Sequence, residues 1–535
     1  MSEGEMSRNT LFDQNPQMVG NKGKDTVPEK KVSHILTSMG YRYRKNYSQL
    51  PGRPDFAFTK KKKVIFVNGC WWHLHAGCGD VRSAKTNRRF WDAKLGATAV
   101  RDERNRIDLA RLGWEQMTIW SCELDEEEQL KKKLRNFLDT DSRRSIELFT
   151  GAGGLALAVS RNGFKHEALV EIDRQACEML RFNQEREVPL LKDWPLFEMD
   201  VKNFDYKPYQ DTIDLLGAGS PCQPFSLGGN HKAEEDVRNM FPEVIRAIRE
   251  LRPKAVIVEN VKGLKRAAFA EYFEYILLQI KHPELIARNN EDWQSHRVRL
   301  KAHDKSKPGG DLRYRVSETT LNAADYGVPQ TRDRVLIVAF RQDIDGSWLF
   351  PPPTHGREML LYKQWVTGEY WESHNLSKRQ RPSAPERLAG QIKKLEVEPP
   401  DFNIRPWITV RDALRDLPNP QEKIGGGNAS NGYFNHVLNP GARSYPGHTG
   451  SSSDWPSKTL KAGVHGVPGG ENTLVVNHSK VRYYTVREAA RIQTFPDEIV
   501  FPGAWTVGMR QLGNAVPVSL GDAVVQKIKD VLTSG

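Results

Sequence analysis

The stretch Ser145-Ile-Glu-Leu-Phe-Thr-Gly-Ala-Gly-Gly154 runs on through Leu155–Arg161 and stops at Asn162-Gly163. It reads as a strand over Ile146–Phe149, a glycine turn and a helix ended by an Asn-Gly stop. Three more strand-like runs follow at Ala168–Ile172, Ile213–Gly217 and Ala255–Glu259. Strands alternating with helical segments predict an α/β class domain, a parallel, Rossmann-like sheet.

The polar residues fall at the ends of these runs. In open parallel sheets ligands bind beyond the carboxyl ends of the strands. Gly151, Gly153 and Gly154 follow strand one, Glu171 ends strand two, and Asp200 closes a short segment before Val201. Cys222 follows the next run and Glu259-Asn260 ends the last. The glycines let the backbone approach a ligand at a helix N-terminus. Glu171, twenty residues after Gly151, is placed to hold a ribose hydroxyl pair. A plain strand–helix turn is the alternative, but a nucleoside cofactor explains turn and acid together. Cys222 stands in Gly217-Ala-Gly-Ser-Pro-Cys-Gln-Pro-Phe-Ser226. Prolines on either side fix the backbone, which suits a positioned nucleophile better than a thiol that only fills core.

The chain has 535 residues, too many for one core, so two or three domains are expected. Its net charge of +12 favours a polyanion partner, most simply nucleic acid. No run of about 18 apolar residues exists, so no membrane span is expected. Five cysteines make no disulfide framework and point to a reducing cytoplasm. Residues 1–20 read as a polar tail without a signal-peptide core. Residues 21–138 are dense in Lys, Arg, Trp and His, with a charged helix over Asp125–Arg135. Residues 139–144 form a polar linker, and 145–344 carry the sheet pattern. Residues 345–480, rich in Pro, Gly, Asn and Ser, read as a small loop-rich domain. Their Trp407, Trp455, Tyr433 and Phe434 argue against a disordered insertion. Residues 481–535 return to helix and complete the sheet domain.

Six segments then stand in order: FTGAGG from Phe149, SPCQPFS from Ser220, Glu259-Asn-Val261, Gln330-Thr-Arg-Asp-Arg334, Arg487–Asp497, and Gly513-Asn-Ala-Val-Pro517. The chain from 145 to 535 resembles the DNA cytosine-5 methyltransferases. The resemblance implies S-adenosylmethionine as cofactor and double-stranded DNA as substrate. It makes Phe149, Gly151, Gly153, Gly154, Glu171, Asp200 and Asn514 cofactor contacts. It makes Cys222 the thiolate that adds at cytosine carbon 6 and turns the ring into a nucleophile. Glu259 would hold and protonate ring N3, and Arg334, with Arg332, would bind the base carbonyl. A base within a duplex must be flipped out to reach Cys222, and residues 345–480 become the target-recognition region, reading the major groove.

In the N-terminal part, Asn68-Gly-Cys-Trp-Trp-His-Leu-His-Ala-Gly-Cys78 is followed at a distance by Trp120-Ser-Cys122. Cys70, His75, Cys78 and Cys122 have the composition of a closed structural zinc site; scattered core thiols are the alternative. Asp55, at the head of a predicted hairpin, is a candidate Mg²⁺ ligand or a turn former after Pro54. With Asp25-Thr26, Glu29, LPGRPDF, VIFVNGCWWH, Arg89-Phe-Trp91 and IWSCEL, residues 21–125 resemble the very short patch repair endonucleases. That family has a restriction-endonuclease-like α/β fold and nicks beside T:G mismatches. The resemblance makes Asp55 the magnesium ligand, with the backbone oxygen of Val67 beside it. It makes His73 the general base, Glu29 its support, and Trp71, Trp72 and Trp91 wedges into the base stack. Asn68 and Val67 depart from the family's histidine and threonine.

The two resemblances predict a monomeric, two-enzyme cytoplasmic protein: sequence-specific cytosine-5 methylation, plus nicking at the T:G mismatches that deamination of 5-methylcytosine creates. Three rivals remain: a restriction nuclease cutting unmethylated sites, an RNA methyltransferase, and a binding module with dead sites.

Overall fold

A computed structural model describes residues 25–75, 78–79, 87–139, 142–221, 239–306, 311–420, 429–430, 432–444, 449–462, 472–477 and 480–534. Cys222 lies outside them.

The first body is a four-stranded sheet in the order β1-β2-β3-β4, from β1 (Arg44–Lys45), β2 (Phe56–Phe58), β3 (Lys63–Asn68) and β4 (Glu115–Trp120). The first three pair antiparallel, and β4 runs parallel to β3. Helix α1 (Val27–Ser38) starts at Thr26, whose hydroxyl accepts from the Glu29 amide, with a proline in its first turn. Its Val32, Ile35 and Leu36 bury against Phe56, Phe58, Ile65 and Ile119. The same core takes Leu130, Leu134 and Phe137 of α3 (Glu127–Leu138), which is the charged helix expected near residues 125–135. Helix α2 (Arg88–Arg111) makes the crossover from β3 to β4.

The second body is a seven-stranded sheet in the order β10-β11-β9-β8-β5-β6-β7. Its strands are β5 (Arg144–Leu148), β6 (Lys165–Glu171), β7 (Leu196–Glu198), β8 (Leu215–Gly219), β9 (Ala255–Val261), β10 (Tyr314–Asn322) and β11 (Asp333–Arg341). β7, β6, β5, β8 and β9 are parallel. β11 runs antiparallel to β9 and to β10. Helices α4 (Gly154–Arg161), α5 (Arg174–Glu185), α6 (Phe241–Leu251), α7 (Ala270–Lys281) and α8 (Trp293–Ser306) complete this part, with the C-terminal helix Val518–Ser534 packed against α4. The chain winds outward from β5 to β7 and then crosses back to β8, so the switch point lies between β5 and β8. A crevice is expected at that place.

Residues 345–480 are less separate than their composition suggests. Val410, Leu460 and Leu474 share a core with Ala156, Leu157 and Leu169 of the sheet body. Small clusters of their own, one around Leu361, Leu388 and Ile392 and one around Tyr370 and Trp371, hold the outer part. The linker expected at 139–144 already enters β5 at Arg144. Among the described residues no helix is long and apolar enough to cross a membrane.

His166 on β6 shows what burial asks of a titratable core residue. Its Nδ1 faces the Ser145 hydroxyl at 3.0 Å and its Nε2 faces the Ala156 carbonyl at 3.1 Å. Burial pushes its pKa down to about 4. The unfolded chain takes up this proton below about 6.5, while the folded one waits until about 4, so acid favours unfolding in that window. Stability should fall from pH 6.5 to 4 by on the order of 3 kcal/mol from this residue. Denaturant titrations at several pH values should show a flatter slope for His166→Gln.

Candidate active sites

A cavity of about 820 Å³ opens at the switch point. Phe149, Gly151 and Gly154 line it from the β5–α4 turn, Glu171 from the end of β6, and Asp200 from the loop after β7. Ser220 and Pro221 reach it from β8, Glu259 from β9, Arg332 and Arg334 from the start of β11, and Asn514 from the helix Trp505–Asn514. Eight of the residues singled out in the sequence share this one wall with Asn514. Gly153 does not; it lies under the Trp194 ring, where a Cβ would come within 2.9 Å of a ring carbon. Pro221 brings the chain to the cavity one residue before Cys222.

The local turn explains the glycines. Phe149 has φ +58°, a left-handed conformation rare for a bulky residue, which swings the chain sharply out of β5. Gly154 then passes so close to the Val516 carbonyl that a Cβ would stand 2.2 Å from it. Only glycine fits, and the contact joins the first motif to Gly513–Pro517. Glu171 fastens the turn, accepting the Gly151 amide at 2.7 Å on one oxygen and the Asp173 amide at 2.7 Å on the other. Burial raises its pKa against these two donors.

Glu259 and Arg334 face each other across β9 and β11, with Oε1 2.6 Å from Nε and both side chains about one-tenth exposed. The antiparallel register sets Arg334 opposite Val261, two residues past Glu259. Arg332 behaves differently. Its guanidinium donates to the carbonyls of Leu460 at 2.9 Å and Gly513 at 2.6 Å, and to that of Ala515 at 3.3 Å. Those donors are committed to holding three segments together, so the base-carbonyl role expected of Arg332 does not suit this geometry. Glu147 carries no motif signal in the sequence. It is buried on β5 and lines the cavity, and burial raises its pKa well above the ordinary carboxylate range. Its Oε2 and the Thr150 hydroxyl have no hydrogen-bond partner among the described residues. Two orphaned polar atoms in a cavity of this size suit a polar, nucleoside-sized cofactor.

The second site is in the four-stranded body. Asp55 precedes β2, and its Oδ2 accepts the Val67 amide of β3 at 2.7 Å. Burial pushes Asp55 up to about 6; Glu29 adds to the rise, and His73 and the Val67 amide oppose it. Asp55 thus lies within reach of the charges of Glu29 and His73. Glu29, however, spends its carboxylate on the Asp25 amide at 2.9 Å and the Thr26 hydroxyl at 2.8 Å, a helix-capping arrangement. His73 Nδ1 meets Asp102 Oδ2 of α2 at 2.5 Å. Asp102 was not legible as a partner in the sequence. Trp71, Trp72 and Trp91 form one cluster, with ring centroids 4.8, 5.2 and 5.6 Å apart, and the Lys94 ammonium lies over Trp91 at 5.2 Å.

Beside them, the ligand atoms of Cys70, His75, Cys78 and Cys122 all lie within 4.8 Å of one another. Cys70 and Cys122 follow the parallel neighbours β3 and β4, whose register pairs Asn68 with Trp120. The His75 ring stacks on Trp120 at 4.1 Å.

A parallel sheet with a cavity of this size at its switch point, faced by a buried acid–guanidinium pair, has the layout of a nucleoside-cofactor enzyme. The comparisons give the family: residues 143–283 and 291–530 match the family model described as C-5 cytosine-specific DNA methylase, and the chain belongs to that family. Residues 12–78 match the model of the DNA mismatch endonuclease Vsr. The type II methyltransferase M.Eco47II of Escherichia coli is 33% identical over 401 residues, covering 72% of this chain and 79% of that protein. The type II nicking enzyme V.XorIIP of Xanthomonas oryzae pv. oryzae is 42% identical over 118 residues, covering 22% of this chain and 86% of that protein. The type II methyltransferase M.XorII of the same strain is 28% identical over 414 residues, covering 72% of this chain and 84% of that protein. The chain is thus a cytosine-5 DNA methyltransferase with a Vsr-like endonuclease domain at its N-terminal side.

Proposed function

We propose that the protein methylates cytosine within a specific duplex site and nicks beside T:G mismatches arising at that site. The observation that carries this reading is the gathering of Glu171, Glu259 and Arg334 around one cavity, in a chain that also sets His73 on Asp102 beside Asp55.

In the methylating half, Phe149, Gly151, Gly154, Glu171, Asp200 and Asn514 would hold S-adenosylmethionine, with Glu171 on the ribose. That cofactor supplies a methyl group made electrophilic by its sulfonium. The Cys222 thiolate adds to carbon 6 of an everted cytosine. Glu259 holds a proton at ring N3, so that negative charge does not build up as the thiolate adds. Arg334 fixes the Glu259 carboxylate and puts positive charge beside the base carbonyl. Loss of the carbon 5 proton afterwards releases Cys222.

In the nicking half, Asp55 and the Val67 carbonyl would hold Mg²⁺, which polarises the scissile phosphate. His73 takes the proton of the attacking water, and Asp102 fixes its tautomer and its ring orientation. Trp71, Trp72 and Trp91 wedge the duplex at the mismatch. Cys70, His75, Cys78 and Cys122 would hold zinc as a structural crosslink.

The test takes the full chain with duplex DNA and labelled cofactor. Label should enter DNA at cytosine carbon 5, and Cys222→Ser should abolish its entry. The same preparation should nick a T:G duplex built on the methylated site. Label passing to RNA would overturn the first half of the reading. Cutting of matched, unmethylated duplex would overturn the second.

A further inference from the structure

Helix α2 has two sets of contacts. Toward the nuclease it carries Asp102, which grips His73. One turn further on, about 6 Å along the axis, Arg106 turns to the methyltransferase. Its guanidinium pairs with Glu103 at 2.8 Å and with Asp522 of the C-terminal helix. Its Nη1 also donates to the carbonyl of Arg161, the last residue of α4, at 3.0 Å. The Arg106 side chain is 14% exposed and that of Asp522 7%. Asn162 holds the far side of Asp522, with Nδ2 2.7 Å from Oδ1. At the margin Arg111 reaches Glu498 at 3.0 Å.

This is more than a tether. Lifting α2 would take the Arg106 charge away from the buried Asp522 carboxylate, while Arg106 would keep Glu103, so α2 leaves Asp522 only at a cost. The pair joins residues 416 positions apart, one on each enzyme half. Elsewhere α3 and β4 lean on the same C-terminal helix: Asn136 donates to the Thr533 carbonyl at 3.0 Å, and Lys529 donates to the Gln116 carbonyl at 3.1 Å. Helix α4 begins at Gly154 on the cofactor cavity and ends at Arg161 on this contact.

We propose that the methyltransferase half is the fixed bed of the nuclease. The Arg106–Asp522 contact holds α2, and through it the grip of Asp102 on His73, in the geometry that cleavage needs. Arg106 and Asp522 are positioning residues for strand nicking, although neither touches the reacting phosphate. The proposal rests on reading the N-terminal half as a nuclease.

The test uses the full chain carrying Asp522→Asn, which keeps the volume and the Asn162 contact and removes the charge. The nicking kcat on a T:G duplex should fall about tenfold or more, because small misplacements of a catalytic group are costly. KM should stay within about twofold, as should methyl transfer. Hydrogen exchange of the amides of residues 100–111 should quicken. Glu498→Ala, which leaves the buried pair alone, should give the same split at about threefold and serves if Asp522→Asn does not fold. An unchanged nicking kcat, or equal falls in both activities, would overturn the proposal. If the unaltered protein nicks no T:G duplex, the nuclease reading fails by itself. The exchange measurement still decides the docking: faster exchange in α2 upholds it and unchanged exchange overturns it.

Discussion

Glu259→Gln should lower methyl transfer by about 10²- to 10⁴-fold, the range for removing a general acid–base group. The amide fills the same space on β9, so the loss comes from chemistry more than from packing. It cannot hold a transferable proton at ring N3, and it leaves the charge of Arg334 without its partner at 2.6 Å. Binding of the cofactor should change little, because Glu171 and the Gly151 turn lie on the other side of the switch point from β9. The measurement is single-turnover label transfer into duplex DNA, with cofactor affinity determined separately. If Glu259→Gln methylated within about threefold of the unaltered rate, the buried pair would be structural only. Arg334→Lys offers a second check. It keeps the charge but loses the planar fork that lies against Glu259, so its loss should be smaller than that of Glu259→Gln.

Much of this site was legible in the sequence because the central strands are buried on both faces. Ile146–Leu148, Ala168–Val170, Leu215-Leu216 and Ala255–Val258 are short apolar runs, each ending in the residues that matter. The edge strands left no such trace. β7 is three residues long and half exposed, and β10 mixes Arg, Ser, Glu and Thr with its apolar positions. Neither shows a strand pattern in the sequence. Arg332 and Arg334 cannot be told apart in the sequence for a related reason. Two arginines two residues apart look equivalent in a motif, yet only the fold shows that one is consumed by the carbonyls of Leu460, Gly513 and Ala515. Asp102 was hidden in Arg101-Asp-Glu-Arg-Asn-Arg106, where every residue but one is charged. Nothing in such a run marks which carboxylate meets an imidazole. The Arg106–Asp522 pair is the extreme case, since no local pattern links residues so far apart in the chain.

Removing one ligand of the Cys70–His75–Cys78–Cys122 cluster should separate the two enzymes functionally. A tetrahedral zinc with Zn–S bonds near 2.3 Å has ligand atoms about 3.8 Å apart. The four atoms here lie within 4.8 Å of one another, close enough for a bound ion to draw them in. The cluster spans the loop that carries His73, because Cys70 and His75 stand on either side of it in the chain. A crosslink there fixes the loop to the end of β4 through Cys122. Its loss would free His73 from Asp102, although the four-stranded core of Ile65, Ile119 and Phe137 would remain. Structural zinc is worth about 10–16 kcal/mol in small zinc-finger peptides. Even a fraction of that spent on one loop exceeds the few kcal/mol needed to misplace a general base. The full chain should therefore carry about one zinc per molecule. Cys122→Ala should carry almost none and nick at least about a hundredfold more slowly, while methylating at its ordinary rate, because none of the four ligands lines the cofactor cavity. Metal analysis and both activities would be measured on one preparation. Full nicking by zinc-free protein would show that the four residues are an ordinary thiol-rich core, with His73 held by Asp102 alone.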